Sequence, residues 1–124
     1  MRHRVIFTMT LCVCVMMLAA CGSTPPIDSE AIDVNLTTAE PAIANEETTL
    51  VAELVGIEFP ESTVVQFDVR LNGDIIPRVL NSATQGDDVY TATFKFPEPG
   101  VYDVYLHIYI EDLHLTKRRQ VEVQ

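Results

Sequence analysis

The sequence predicts an all-β fold, an antiparallel β-sandwich, for the chain from residue 31 to residue 124. Short segments rich in Val, Ile, Thr, Phe and Tyr recur between turn residues along this part of the chain. Within each segment apolar and polar residues alternate with a period of two, which is typical of half-buried strands. No segment repeats apolar residues at helical spacing over three turns. The periodicity therefore indicates strands throughout.

Seven segments show this alternation, and we expect strands at 32–36, 48–55, 63–71, 75–80, 89–96, 101–110 and about 115–123. Asn72-Gly73 predicts a tight hairpin turn after the third segment, because a type I′ turn needs positive φ at both positions. Pro77 has no backbone N–H, which indicates an edge strand. We expect a polar loop from Asn81 to Asp88. About seven strands in a domain of this size are typical of an immunoglobulin-like sandwich.

Tyr102 is the residue that bears most directly on this fold. It lies just after Pro99-Gly100, at the start of the predicted sixth strand. In immunoglobulin-like sandwiches a tyrosine at this point hydrogen-bonds to backbone upstream of it. The alternative is an ordinary core aromatic, and both interpretations predict that Tyr102 is buried. The alternation also predicts that Phe67 and Phe94 lie in the core.

Residues 1–20 have the organisation of a lipoprotein signal peptide. A basic start, Arg2-His3-Arg4, precedes an uncharged run of 14 residues from Val5 to Leu18. That run is too short to cross a bilayer, which takes roughly 20 residues. The segment Leu18-Ala19-Ala20-Cys21 resembles the bacterial lipobox. We therefore predict cleavage before Cys21 and a lipid on its thiol.

Processing divides the chain into a signal peptide (1–20), a lipidated Cys21 with a flexible tether (21–30) and a β-sandwich domain (31–124). Cys12 and Cys14 leave with the signal peptide, so we expect no disulfide in the mature protein. We expect the protein in the cell envelope, lipid-anchored to the extracytoplasmic face of the cell membrane. In a two-membrane cell the outer membrane is the alternative.

The charge of the mature chain limits its partners. Removal of Arg2 and Arg4 leaves six Lys and Arg against 18 Asp and Glu, a formal net charge of −12. Such a surface repels phosphate backbones and anionic headgroups. We therefore expect no nucleic-acid partner, and we expect attachment to the membrane through the lipid alone.

The segment 89–123 resembles the C-terminal half of the YtkA-like domain of small bacterial lipoproteins and related envelope proteins. The matching features are Tyr90-x-Ala92, Glu98-Pro99-Gly100-Val101-Tyr102, His107, His114 and Lys117-Arg118-Arg119. The Asn72-Gly73 hairpin and the position of 57–60 fit the earlier half. The resemblance implies an immunoglobulin-like fold and little about activity. Thr116 stands where members often carry a methionine, a departure that weakens an argument for copper.

His107 and His114 are candidate metal ligands. A two-residue turn at Glu111-Asp112 predicts that Tyr109 faces His114 and that His107 faces Thr116. The two histidines are then diagonal neighbours on the outer face of the hairpin, within reach of one Cu²⁺ or Zn²⁺ ion. Two histidines are an incomplete ligand set, so a third ligand would come from Tyr109 or from the turn. The favoured alternative is that both are solvated side chains.

The register of this hairpin has an alternative as well. Lys117 and Arg119 share the parity of the apolar residues Leu115 and Val121. A β-bulge in the last strand would move the two charged side chains to the outer face.

Motifs for catalysis are absent from the sequence. There is no G-x-S-x-G, no glycine-rich phosphate loop and no free thiol in the mature chain. We therefore expect a protein that is not an enzyme and that needs no cofactor, with copper or zinc as the alternative. The acidic pairs in predicted turns are expected to be solvated.

The remaining candidate site is a surface for a partner protein of the envelope. The basic cluster Lys117-Arg118-Arg119, with Tyr105 and Tyr109, is the candidate interaction face. The predicted function is thus a non-catalytic interaction module on a lipid anchor. The alternative is an extracytoplasmic copper- or zinc-binding protein that uses His107 and His114.

Overall fold

The computed structural model describes residues 25–124, in which eight β-strands follow one another. They are β1 (Asp33–Thr38), β2 (Glu47–Val55), β3 (Val64–Leu71), β4 (Arg78–Asn81), β5 (Ala83–Gly86), β6 (Val89–Lys95), β7 (Gly100–Ile110) and β8 (Leu113–Val123). No helix long and apolar enough to cross a membrane occurs in this part of the chain. The predicted signal peptide and the lipidated Cys21 lie outside the described residues.

The strands form two antiparallel sheets of four, in the orders β1-β2-β6-β5 and β4-β3-β7-β8. In the lettering used for immunoglobulin domains, the first sheet has the order A-B-E-D. The second sheet has the order C-F-G, with β4 as an additional strand at the edge beside C. The all-β, immunoglobulin-like antiparallel sandwich is therefore confirmed. The sheet β4-β3-β7-β8 carries the residues that concern function.

The prediction of seven strands misses one, because the polar loop expected at 81–88 contains β5. All four residues of β5 are exposed, so no apolar alternation marks it. It pairs with the edge of β6, with an irregularity in register between Thr84 and Gly86. Backbone pairing and a side-chain hydrogen bond from Gln85 Nε2 to Thr91 Oγ1 at 3.2 Å hold it, and these leave little trace in the sequence.

The turn predicted at Asn72-Gly73 is present, but its type and the strand after it differ from expectation. Asp74 N–H donates to Leu71 O at 2.8 Å. Gly73 has a φ of 87°, whereas Asn72 has no positive φ, so the turn is not type I′. β4 then begins at Arg78 rather than at the predicted position 75.

The late start of β4 has a local cause. The Oδ1 atom of Asp74 accepts a hydrogen bond of 3.0 Å from Ile76 N–H, which closes a second turn after the first. Pro77 follows and has no N–H to give to the ladder. Pairing with β3 therefore resumes only from Arg78 opposite Val69.

The core between the sheets follows the predicted alternation. In β7 the inward residues Tyr102, Val104, Leu106, Ile108 and Ile110 are fully buried. In β3, Val65, Phe67 and Val69 are fully buried too. Phe94 is only half-buried and packs against the edge of this core.

Tyr102 hydrogen-bonds to the backbone of the turn before β7, as the sequence predicted. Its hydroxyl donates to Glu98 O at 2.8 Å and accepts from Glu98 N–H at 3.3 Å. The ring is fully buried and meets Phe96 edge to face at 4.7 Å. This arrangement joins a core aromatic to the backbone of the preceding turn, which is the tyrosine corner of immunoglobulin-like domains.

β8 pairs with β7 without interruption, from Leu113 opposite Ile110 to Val123 opposite Gly100. The alternative of a bulge in this strand is therefore wrong. Arg119 keeps its inward parity because it lies at the sheet edge, beside β1 of the other sheet. Its Nε donates to Val34 O at 3.1 Å, and its guanidinium pairs with the carboxylate of Asp33.

Candidate metal and protein-binding face

The outward side chains of the sheet β4-β3-β7-β8 form one continuous surface of cross-strand neighbours. We call this surface the polar face; its residues are Val64, Gln66, Asp68, Arg70, Val79, Asn81, Asp103, Tyr105, His107, Tyr109, His114, Thr116, Arg118 and Gln120. Cross-strand pairing sets which of them touch. His107 lies between Gln66 and Thr116, and Tyr105 lies between Asp68 and Arg118.

The two histidines meet as the two-residue turn predicted. Tyr109 pairs with His114, and His107 pairs with Thr116. His107 Nδ1 lies 3.3 Å from His114 Nε2, and the ring centroids are 5.5 Å apart. Thr116 Oγ1 lies 3.1 Å from the same His107 Nδ1. One ring nitrogen from each histidine therefore faces the other.

Tyr109 holds the ring of His114 rather than turning its hydroxyl toward the histidine pair. The two rings are stacked, with centroids 4.3 Å apart and planes inclined by 12°. The hydroxyl donates to Gln66 Oε1 at 3.4 Å. Glu111 and Asp112 are exposed in the turn, and no group of three or more His, Cys, Asp or Glu that could hold a metal occurs within residues 25–124.

Asp68 is the residue of this face that the sequence analysis did not single out. It is 2 % exposed although it lies on the outer side of the sheet. Arg70 donates to both of its carboxylate oxygens: Nη2 lies 2.6 Å from Oδ2, and Nε lies 3.2 Å from each oxygen. His107 Nε2 lies 3.8 Å from Asp68 Oδ2. The carboxylate thus stands between a guanidinium and an imidazole.

The charge state of Asp68 follows from these contacts. Burial alone would raise the pKa of the carboxyl group, but the hydrogen bonds and positive charge of Arg70 outweigh burial. With a contribution from His107, they hold the pKa of Asp68 below its ordinary value of 3.8. Asp68 is therefore ionised at neutral pH. Its outward parity in a central strand, next to an arginine two residues on, was the available signal in the sequence.

The residues of the predicted interaction face divide between two sides of the sheet. Tyr105, Tyr109 and Arg118 belong to the polar face, whereas Lys117 and Arg119 alternate to the opposite side. Arg118 Nε donates to Asp103 Oδ1 at 2.9 Å.

Further contacts order the middle of the polar face. The guanidinium of Arg70 lies over the ring of Tyr105, 5.0 Å from its centroid. Gln120 Nε2 donates to Asp103 Oδ1 at 3.1 Å. Asp103 is 8 % exposed, so it is a second carboxylate shielded on an outer face.

No protein-family model matches the chain, and no curated protein matches it either. Among solved structures it is similar to an engineered protein, at 18% identity and a TM-score of 0.57. That match covers 75% of this chain, which spans only 20% of the engineered protein.

A second similar structure is the superoxide reductase (neelaredoxin) from Ignicoccus hospitalis, at 13% identity and a TM-score of 0.53. This match covers 81% of this chain and 89% of the reductase. A third is the PKD domain of a human VPS10 domain-containing receptor, with 18% identity, a TM-score of 0.47 and coverage of 84% and 78%. At these identities the first two matches show similarity of fold alone.

Proposed function

We propose that this protein is a membrane-anchored bacterial lipoprotein whose immunoglobulin-like domain is a non-catalytic module that binds another envelope protein. The observation that carries the proposal is the set of residue types on the polar face, together with the contacts that restrict the motion of their side chains. Tyr105, Tyr109 and Arg118 share this face with two exposed valines: Val64, opposite Tyr109, is 50% exposed, and Val79 is 55% exposed. Tyrosine and arginine are the residue types on which protein–protein binding energy concentrates.

The order of these side chains favours binding. The guanidinium of Arg70 lies over the ring of Tyr105, and Asp103 accepts a hydrogen bond from Arg118. The ring of His114 stacks on Tyr109. A partner would therefore meet side chains that have already lost much of their rotamer freedom. Such preorganisation reduces the entropic cost of association.

The lipid anchor rests on the sequence. Leu18-Ala19-Ala20-Cys21 after an uncharged run supports lipidation, and the resemblance to the YtkA-like domain supports a place among small envelope lipoproteins. The extracytoplasmic face of the cell membrane is the proposed location, with the outer membrane as the alternative in a two-membrane cell. A domain with this negative charge gains nothing from anionic headgroups, so the lipid does the anchoring.

The anchor is tested by metabolic labelling with a palmitate analogue. Cys21→Ala should lose the label and leave the membrane fraction. Cys14→Ala, which changes a thiol inside the signal peptide, should keep both. Labelling that survives in Cys21→Ala would contradict the proposed anchor.

The binding face is tested by a photocrosslinking residue placed at Val79, which is exposed on the polar face. The matched control has the same residue at Thr93, which is exposed on the outer side of the other sheet. Crosslinks to one defined envelope protein should form from position 79 and not from position 93. Equal crosslinking from both positions, or none from either, would contradict a role for the polar face.

A further inference from the structure

We propose that His107 and His114 bind a Zn²⁺ ion in tetrahedral geometry through Nδ1 and Nε2, respectively, with Asp68 as the residue that positions His107. This site goes beyond the proposed protein-binding function, which requires no metal. His107 lies in β7 and His114 in β8, the two strands of one hairpin, and Asp68 lies in the adjacent strand β3.

The distance between the two nitrogens fits zinc. Zinc–nitrogen bonds are about 2.0–2.1 Å long, so two nitrogens of a tetrahedral zinc ion lie about 3.3 Å apart. The same bond lengths at a right angle, as in square-planar copper, separate adjacent nitrogens by about 2.9 Å. The observed distance from His107 Nδ1 to His114 Nε2 is 3.3 Å. The separation therefore matches a tetrahedral ion, which would replace the hydrogen bond between the two imidazoles without rearrangement of the strands.

Asp68 determines which nitrogen of His107 carries the proton. Its ionised carboxylate lies on the Nε2 side of the imidazole at 3.8 Å, so it favours hydrogen on Nε2. The lone pair is then on Nδ1, which faces His114. Thr116 Oγ1 lies 3.1 Å from Nδ1, so in this tautomer its hydroxyl is placed to donate to that lone pair in the metal-free protein, and an ion would displace it. A carboxylate behind a metal-binding histidine is a recurring arrangement, because it orients the ring and makes it a stronger ligand.

His114 is held by a different contact. Its ring stacks on Tyr109, whose hydroxyl is in turn bonded to Gln66. The stacking restrains the ring while leaving Nε2 toward His107. Both histidines thus sit on paired strands with neighbours that restrict their rotation, which is what a small site needs to bind without large ordering costs.

The donor set selects the class of metal. Two neutral imidazoles favour zinc and copper over magnesium or calcium, which take oxygen ligands. Two protein ligands leave coordination positions for water or for a donor from a bound partner. On the exposed outer side of the sheet these positions face solvent.

The experiment is calorimetric titration of the purified full-length protein in detergent with Zn²⁺, after treatment with a chelator. We expect one ion per chain, and loss of this binding in the double variant His107→Ala, His114→Ala. Asp68→Asn should weaken binding by about 10-fold, the lower end of the effect of losing a hydrogen-bonded carboxylate, because the contact of 3.8 Å is longer than a hydrogen bond. The matched control is Asp103→Asn, which removes the other shielded carboxylate of the same face and should bind as the unchanged protein does.

Two spectroscopic measurements distinguish a role of Asp68 in positioning His107 from a general effect on folding. Nitrogen NMR of the metal-free protein should show His107 protonated at Nε2, with that preference lost in Asp68→Asn and kept in Asp103→Asn. Co²⁺ in place of Zn²⁺ should give the intense visible absorption of a tetrahedral ion. Urea unfolding with chelator present establishes that each variant is folded.

The outcomes are distinct. Absence of one-to-one binding, or binding that survives in the double histidine variant, would overturn the site. Equal affinities and equal His107 protonation in Asp68→Asn and Asp103→Asn would overturn the role of Asp68. The weak absorption of octahedral Co²⁺ would overturn the geometry. None of these results bears on crosslinking from the polar face, so the two proposals fail separately.

Discussion

Two tyrosines of β7 show how the contribution of a hydroxyl to stability depends on its burial and hydrogen bonds. Tyr102 bonds to both backbone groups of Glu98 from a buried position, whereas Tyr109 makes one long bond on the surface. We expect Tyr102→Phe to lower the free energy of unfolding by about 1 kcal/mol, the usual net value of a hydrogen bond. Tyr109→Phe should change it by less than about 0.5 kcal/mol. Urea unfolding measures both, and equal losses would contradict the tyrosine corner as a source of stability.

Because the pKa of Asp68 is lowered in the folded protein, the free energy of unfolding should fall at acidic pH. Its pKa is lowered in the folded protein, so its ion pair with Arg70 contributes at every pH above the ordinary value of 3.8. That contribution is lost as the pH falls below this value, because the unfolded state takes up a proton there while Asp68 of the folded state stays ionised, which favours unfolding. We expect Asp68→Asn to be less stable than the unchanged protein near neutral pH. The difference should shrink at about pH 3, and urea titrations with chelator at the two pH values test this.

The residues of the candidate metal site were only partly predictable. His107 and His114 followed from the length of one turn, because a two-residue connection sets every later pair in a hairpin. Asp68 did not, since its burial depends on Arg70 and His107 folding over it from other positions. The side on which Lys117 and Arg119 lie required the register of the whole of β8.

At the scale of single elements, the connection from β2 to β3 has a strict requirement at Gly56. Gly56 has a φ of 111°, and an added Cβ would lie 1.8 Å from Ala31 O. Gly73 has a φ of 87° with nothing within 4 Å of such a Cβ. Gly73→Ala should therefore cost about 1–3 kcal/mol of backbone strain alone. Gly56→Ala should cost more than about 4 kcal/mol, and similar melting temperatures for the two variants would contradict the close contact with Ala31.

Strands with one buried face were predictable, and strands without one were not. Every residue of β5 is exposed, and β4 is a short edge whose start depends on two successive turns. In β3 and β7 the alternation of apolar and polar residues is regular enough to identify the inner face without a structure, although the outward Asp68 and Asp103 are buried as well. The periodicity reports burial, so it detects only those strands that the core requires.

At the scale of the whole molecule, stability rests on one core between the sheets, and its aromatic residues do not contribute equally. Phe67 is fully buried in the middle of β3, whereas Phe94 is half-buried at the margin. Phe67→Ala should cost about 3–5 kcal/mol, a large part of the stability of a small domain. Phe94→Ala should cost clearly less. Chemical unfolding compares the two, and equal losses would contradict this description of the core.

The edge contact between β1 and β8 determines how the domain responds to mechanical force. The two strands run in the same direction, with Arg119 beside Val34 and Gln120 to Glu122 beside 36–38. A pull between Pro25 and Gln124 therefore slides the strands past one another, and their contacts carry the load together. Contacts loaded in this way resist more force than contacts that open one after another. Arg119→Ala should lower the unfolding force in an optical trap, a quantity governed by the unfolding rate. A lipid anchor at Cys21, as proposed above, would apply its pull at the N-terminal end of β1 and so load this contact from that side.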